Sequence, residues 1–178
     1  MRRRRRWCGL LLLLVLATGC NDSAVGPGVQ LGGPAPHIEG TDLDGRPLRL
    51  SDLHGQVVLV NFWATWCSPC LEEIPDLVQV AHQFAAQGVQ VVGANVDVES
   101  PHRLAAFARQ HQMTYPVVAA TPEVVEAYRL TVIPTTFVID RQGVIRKRYL
   151  GPRGRATFAH DINELLKEAA TSHKQGGA

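Results

Sequence analysis

Residues 57–63 (VVLVNFW) form a nearly unbroken β-branched and aromatic run, the pattern of a strand buried on both faces. Behind it, Leu71, Ile74, Leu77, Val78, Ala81, Phe84 and Ala85 recur at three- and four-residue steps, which is one face of a helix. Gly88 stands where that helix should end, and Pro75 inside it should produce a kink. Residues 89–96 read as a second strand, followed by a helix that opens at Ser100-Pro101 and carries Leu104, Phe107 and Ala108 on one side. Strand, helix and strand in this order predict a right-handed parallel crossover. Residues 116–119 then read as a short strand and 122–129 as a short helix. Residues 135–140 and 144–149 flank Arg141-Gln142-Gly143 as an antiparallel hairpin with glycine in its turn. A last helix carries Phe158, Ile162, Leu165, Leu166 and Ala169. Upstream, residues 40–53 look like a β-turn-β lead-in with Asp44-Gly45 at the turn. The fold class is therefore α/β, a central mixed sheet with helices on both faces, over residues 37–170. Residues 171–178 are left as a disordered tail.

The start of the chain follows another pattern. Arginines at positions 2–6 precede an apolar run at 7–17, the charged head and short apolar body of an export signal spanning residues 1–19. It is too short to cross a bilayer as an anchor, and five arginines at its head speak against a core helix. The segment ends Leu16-Ala17-Thr18-Gly19-Cys20, which resembles a bacterial lipoprotein signal in which Cys20 becomes the lipid-bearing first residue; Ala17 departs from the aliphatic residue usual there. An ordinary signal cut near Gly19 is the alternative. Residues 20–36 are crowded with glycine and proline and nearly free of apolar bulk, so they read as a tether. Fully extended, it would reach about 50 Å at roughly 3.3 Å per residue.

Composition narrows the classes. The chain has 178 residues, 46% hydrophobic and 19% charged, enough for one domain with a core and too hydrophobic for a disordered chain. Four cysteines are too few for a disulfide-stapled miniprotein. The formal net charge of +2 has a local source: without residues 1–19 the count is 13 basic against 16 acidic side chains, a net of −3. A nucleic-acid partner, which requires a basic stripe on the folded part, loses its motivation.

Between the first strand and its helix lies Trp66-Cys67-Ser68-Pro69-Cys70. Structural zinc would need a second such pair or spaced histidines; besides Cys20 the mature chain has one pair, and its histidines are scattered. No metal site is expected. The βαβ placement marks instead a redox motif. Cys67 falls at a helix start, where unpaired N–H groups and the helix dipole stabilise a thiolate. Cys70 lies one turn on, within reach of a mixed disulfide on Cys67. Pro69 suits the first helical turn, where its missing N–H costs nothing. Cys67 is the expected nucleophile and Cys70 the resolving thiol, a two-electron carrier that needs no cofactor. Distant in sequence, Ile133-Pro134 precedes a strand, a place where a cis bond is tolerated, although by itself the motif favours an ordinary trans proline.

Together these features resemble the thioredoxin fold, and more closely the TlpA and ResA branch of membrane-tethered thiol-disulfide oxidoreductases. The resemblance rests on Asp44-Gly45, Leu50-Ser51-Asp52-Leu53-His54-Gly55, Asn61-Phe62-Trp63-Ala64-Thr65-Trp66-Cys67-Ser68-Pro69-Cys70 with Glu73 and Pro75, Asn95-Val96, Tyr115-Pro116-Val117, and Ile133-Pro134-Thr135-Thr136-Phe137-Val138-Ile139-Asp140. It covers about residues 34–167. It implies that Pro134 is cis and faces the cysteine pair, that the backbone of Ile133 pairs an extended substrate segment, and that the stretch between Val96 and Pro116 belongs to a helical insertion. Asn61 departs from plain thioredoxin, which has a buried acid there to relay the resolving cysteine's proton; in this branch Asn is common. Glu73, one turn after Cys70, is the first candidate for that relay and Glu99 the second. Against both stands a solvated glutamate that only complements a helix dipole. Trp66 is expected to shield the thiols and shape the substrate face.

The resemblance thus points to an extracytoplasmic thiol-disulfide oxidoreductase, lipid-anchored through Cys20 on the periplasmic side or outer face of a bacterial membrane. It would reduce disulfides of exported proteins, apocytochrome c among the possible substrates, and would be re-reduced by a transmembrane thiol donor, since an oxidising compartment supplies no soluble reductant. Two alternatives use the same thiols. A peroxidase would place a lone cysteine in a Pro-x-x-x-Thr-x-x-Cys setting, but Thr65 stands one residue too close to Cys67. A copper or haem chaperone would bind through Cys67 and Cys70 without turnover.

Overall fold

The computed structural model describes residues 29–175 apart from Val98, with side chains described to residue 169. The export signal, Cys20 and the first part of the tether lie outside the described residues. Two short strands, β1 (Glu39–Thr41) and β2 (Pro47–Arg49), form the antiparallel lead-in. Its turn is fixed by Asp42, whose Oδ1 accepts the N–H groups of Asp44 and Arg46, and by Gly45 at φ +81°. A 3-10 turn at Leu50–Leu53, which the sequence pattern did not suggest, leads on to β3 (Val57–Trp63).

Then follow α1 (Ser68–Phe84), β4 (Val89–Asn95), α2 (Pro101–Gln110), β5 (Val117–Ala119), α3 (Pro122–Ala127), β6 (Thr135–Ile139), β7 (Ile145–Leu150) and α4 (Arg155–Gln175). The five-stranded sheet runs β5-β4-β3-β6-β7, with β3 paired parallel to β4 and antiparallel to β6. α2 occupies the stretch in which the helical insertion is expected.

Alternation along β3 divides the interior. Val57, Leu59 and Trp63 face a core completed by Leu77, Val80 and Phe84 of α1 and Phe158 and Ile162 of α4. Val58, Val60 and Phe62 face the other core, with Ile38, Val124, Tyr128 and Phe137. Both faces are therefore covered, as the unbroken apolar run requires.

Three details depart from the sequence pattern. The inward face of α1 includes Val80 and the carboxylate of Glu73, and a 3-10 turn (Ala85–Gln87) intervenes before Gly88 at φ +76° closes the element. α4 continues to Gln175, past the domain end read at residue 170. The apolar pattern stops at Ala169, but helical backbone bonding does not require it to continue. Residues 29–36, read as tether, lie on the domain. Gly32 donates to the Ile145 carbonyl (2.8 Å), Ile145 donates to the Gly33 carbonyl (2.9 Å), and Ala35 donates to the Gly143 carbonyl (2.9 Å). Composition measures what side chains can bury, whereas this attachment relies chiefly on main-chain groups, with Val29 and Ala35 the apolar side chains of the segment packed on the core.

Candidate active site

The first turn of α1 follows directly from the C-terminal end of the central strand. Cys67 is its N-cap, in extended conformation at φ −92° and ψ 97°, and its Sγ accepts the Cys70 N–H at 3.3 Å. The turn before it is closed by Cys67 N–H donating to the Ala64 carbonyl at 3.2 Å. Cys67 and Cys70 form a disulfide with their Cα atoms 5.3 Å apart. The two sulfurs are unequally covered, Cys67 being 6% and Cys70 1% exposed. An incoming group therefore meets Cys67 first. Pro69 lies in the first helical turn, and Trp66 beside the pair is 72% exposed.

Strand register brings the distant proline to the same end of the sheet. Thr135 pairs with Phe62, so Pro134 lies level with Trp63, where β3 gives way to the cysteine turn. The Ile133–Pro134 peptide is cis. Ile133 packs against the core cluster that contains both cysteines.

Behind the pair, alternation puts Asn61 on the α1 side of β3, between Leu59 and Trp63. Its Nδ2 donates to Glu73 Oε2 at 2.7 Å and to Thr136 Oγ1 at 2.9 Å. The other carboxylate oxygen, Oε1, accepts the backbone N–H of Arg153 at 2.8 Å. Glu73 is 2% exposed, and loss of water around its charged form pushes its pKa up to about 7; the nearby Asp76 charge acts in the same direction. The Arg153 N–H, the Asn61 amide and the Arg153 charge oppose the rise. A carboxylate projecting from the helix thus meets an amide on the central strand. Glu99 is differently placed: exposed, it pairs with Arg103 at the start of α2 (3.2 Å).

Sequence reasoning passed over two supporting residues. Asp97, just beyond β4, accepts the Thr65 N–H (2.8 Å) and the Asn95 amide (3.0 Å) through Oδ2, and so holds the turn that leads into Cys67. Its place past the carboxyl end of a parallel strand, where α/β sheets gather functional groups, was the available signal. Arg153 had none, since it lies in a loop 80 residues from the carboxylate it meets. Among the described residues no group of three or more potential ligands could hold a metal ion.

The profile of the AhpC/TSA family matches residues 31–148. Thiol-disulfide oxidoreductase ResA of Bacillus subtilis (strain 168) is 36% identical, with 97% of this chain and 99% of that one aligned. ResA of Geobacillus thermodenitrificans (strain NG80-2) is also 36% identical, over 80% of this chain and 84% of its own. Among solved structures, a thioredoxin-family thiol:disulfide interchange protein from Chlorobium tepidum TLS superposes with a TM-score of 0.70 at 37% identity, covering 78% of this chain and 99% of that one. With a cysteine pair capping the helix after the central strand, the chain belongs to the AhpC/TSA family and, within it, to the ResA-like thiol-disulfide oxidoreductases of thioredoxin-like fold.

Proposed function

We propose that the protein is an extracytoplasmic reductase of disulfides in exported proteins, held to a bacterial membrane by a lipid on Cys20. The observation that carries the exchange chemistry is the Cys67–Cys70 disulfide at the N-terminus of α1, with the buried Glu73 carboxylate one helical turn behind Cys70. The Cys67 thiolate attacks one sulfur of a substrate disulfide, forming a mixed disulfide and releasing the other sulfur as a thiolate that takes up a proton. Glu73 then accepts the Cys70 proton. The Cys70 thiolate attacks Cys67 Sγ, the second substrate sulfur leaves as a thiolate that takes up the proton, and the Cys67–Cys70 disulfide closes. Two electrons pass to the substrate, and a transmembrane thiol donor returns them.

Ser68-Pro69 between the cysteines offers no histidine to stabilise the Cys67 thiolate strongly, which suits a reductant. Exposed Trp66 and half-buried Ile133, backed by the buried Pro134, offer the surface on which an extended substrate segment would lie. Apocytochrome c, with its paired haem-attachment cysteines, is a substrate of the right chemistry. In the native envelope Cys70→Ser should accumulate mixed disulfides through Cys67, with exported proteins as the partners, and Cys67→Ser should accumulate none. Equal trapping by the two variants, or a measured potential near the oxidising end of the disulfide scale, would reject this reading.

A further inference from the structure

The two threonines after the cis proline hold opposite sides of the site. Thr135 donates its hydroxyl to the Val132 carbonyl at 2.6 Å and so closes the loop that carries Ile133 and Pro134. Thr136, 1% exposed, stands directly opposite Asn61 in the β3–β6 register, so their side chains share the α1 face of the sheet. On the other flank, Gly151 donates its N–H to the Pro134 carbonyl at 2.8 Å, and two residues later the Arg153 N–H meets Glu73 Oε1. The proline segment is therefore tied to the buried acid twice, through Thr136 and Asn61 and through the loop after β7.

The chemistry of the amide explains why Asn61 needs both of its partners. A primary amide has two N–H donors and one carbonyl acceptor, whereas an ionised carboxylate only accepts. Asn61 Nδ2 donates to Glu73 Oε2 at 2.7 Å and to Thr136 Oγ1 at 2.9 Å, so both of its hydrogens are used. The Thr136 hydroxyl oxygen thus fixes the amide with its nitrogen toward the carboxylate. Without that acceptor, a half-turn of the amide would set its carbonyl against Oε2, oxygen to oxygen. Glu73 follows Cys70 by three residues on α1, which makes the two side chains neighbours on one helix face, roughly 5–6 Å apart at Cβ. Cys67, the N-cap, has the helix terminus to stabilise its thiolate instead.

We propose that Asn61 and Thr136 are positioning residues for one of the two exchange steps. With the Arg153 N–H they hold the Glu73 carboxylate toward Cys70, so they serve resolution of the mixed disulfide and leave the first attack by Cys67 untouched. In resolution a carboxylate oxygen of Glu73 takes the Cys70 Sγ proton and the Cys70 Sγ–Cys67 Sγ bond forms. The bond from Cys67 Sγ to the substrate sulfur breaks, and its electron pair leaves with that sulfur. The inference rests on Glu73 being the proton acceptor and adds what aims it.

The two steps separate when the reduced full-length protein is mixed in stopped flow with one equivalent of dithiobis(nitrobenzoate) near neutral pH. Attack by Cys67 releases one coloured nitrothiolate, and resolution by Cys70 releases a second. Thr136→Val keeps the shape of the side chain but removes the acceptor; it should slow the second release by about tenfold and leave the first within about twofold. Asn61→Leu should slow the second release at least as much, and Thr136→Ser, which retains the hydroxyl, should restore the wild-type rate. An unchanged second release in Thr136→Val, equal slowing of both releases, or failure of Thr136→Ser to restore the rate overturns the positioning role. Glu73→Gln distinguishes the two layers. If it slows the second release while Asn61→Leu and Thr136→Val do not, the positioning alone is rejected; if it leaves the second release unchanged, the proton acceptor falls and the inference with it.

Discussion

Glu73 has an effect on folding that is separate from its effect on exchange. Its ordinary carboxyl pKa of 4.5 applies in the unfolded chain, and burial raises it to about 7 in the native one. Between these values the native state holds a proton that the unfolded state has released, so stability falls as pH rises through the window and levels off above it. The full change is about 3 kcal/mol, at 1.36 kcal/mol per unit. Urea denaturation of the oxidised protein at pH 5 and pH 8 should show this loss, and Glu73→Gln should remove most of it. At this scale the cysteines were legible because their spacing and their place at a helix start are local facts. Glu73 was legible as a position only. A glutamate in a helix reads as solvated until its distant partners are known, and Asn61 and Arg153 lie 12 and 80 residues away. Glu99 shows the opposite case, a glutamate whose ion pair with Arg103 leaves it on the surface.

Among the elements, β4 depends on a residue without a side chain. A Cβ at Gly93 would come within 3.0 Å of Trp63 Nε1, 3.2 Å of Val117 Cγ2 and 3.3 Å of Tyr115 Cε2, all in a packed core. Gly93→Ala is expected to cost about 2 kcal/mol, within the range for overpacking, and should lower the urea midpoint without changing the slope. The β6–β7 hairpin depends on Asp140, whose Oδ1 accepts the N–H groups of Gln142 and Val144 at 3.0 Å each while Oδ2 pairs with Arg146 at 3.2 Å. Asp140→Ala should destabilise the fold by about 2 kcal/mol, since two backbone donors lose a charged acceptor; thermal unfolding at neutral pH is the measurement. The strands themselves could be read from the chain to within a residue or two, because apolar runs and alternation follow directly from burial. The 3-10 turns could not, because segments of four and three residues make about one turn and leave no repeat to read.

For the whole molecule, structure and sequence pattern differ most at residues 29–36. Glycine and proline there argued for a free leash, but the domain supplies hydrogen-bonding groups at Gly143 and Ile145, and Tyr128 donates its hydroxyl to the Pro36 carbonyl at 2.8 Å. Removal of residues 1–28 should leave the unfolding free energy unchanged, whereas removal of residues 1–36 should lower it by about 2–4 kcal/mol, at roughly 1 kcal/mol per lost bond. Equal stability of the two truncations, compared by urea denaturation, would show that the attachment contributes nothing.

This attachment also decides where mechanical load enters. β6 starts level with the cysteine end of β3 and runs antiparallel to it, so Gly143 and Ile145 lie at the opposite end of the sheet. A pull arriving from upstream of residue 29 would be borne by the Val29 bond to the Ala127 carbonyl, by the Tyr128 hydroxyl on Pro36 and by the main-chain bonds at that far end. With the proposed lipid anchor upstream, such a pull would leave the redox turn and the proline beside it with their spacing.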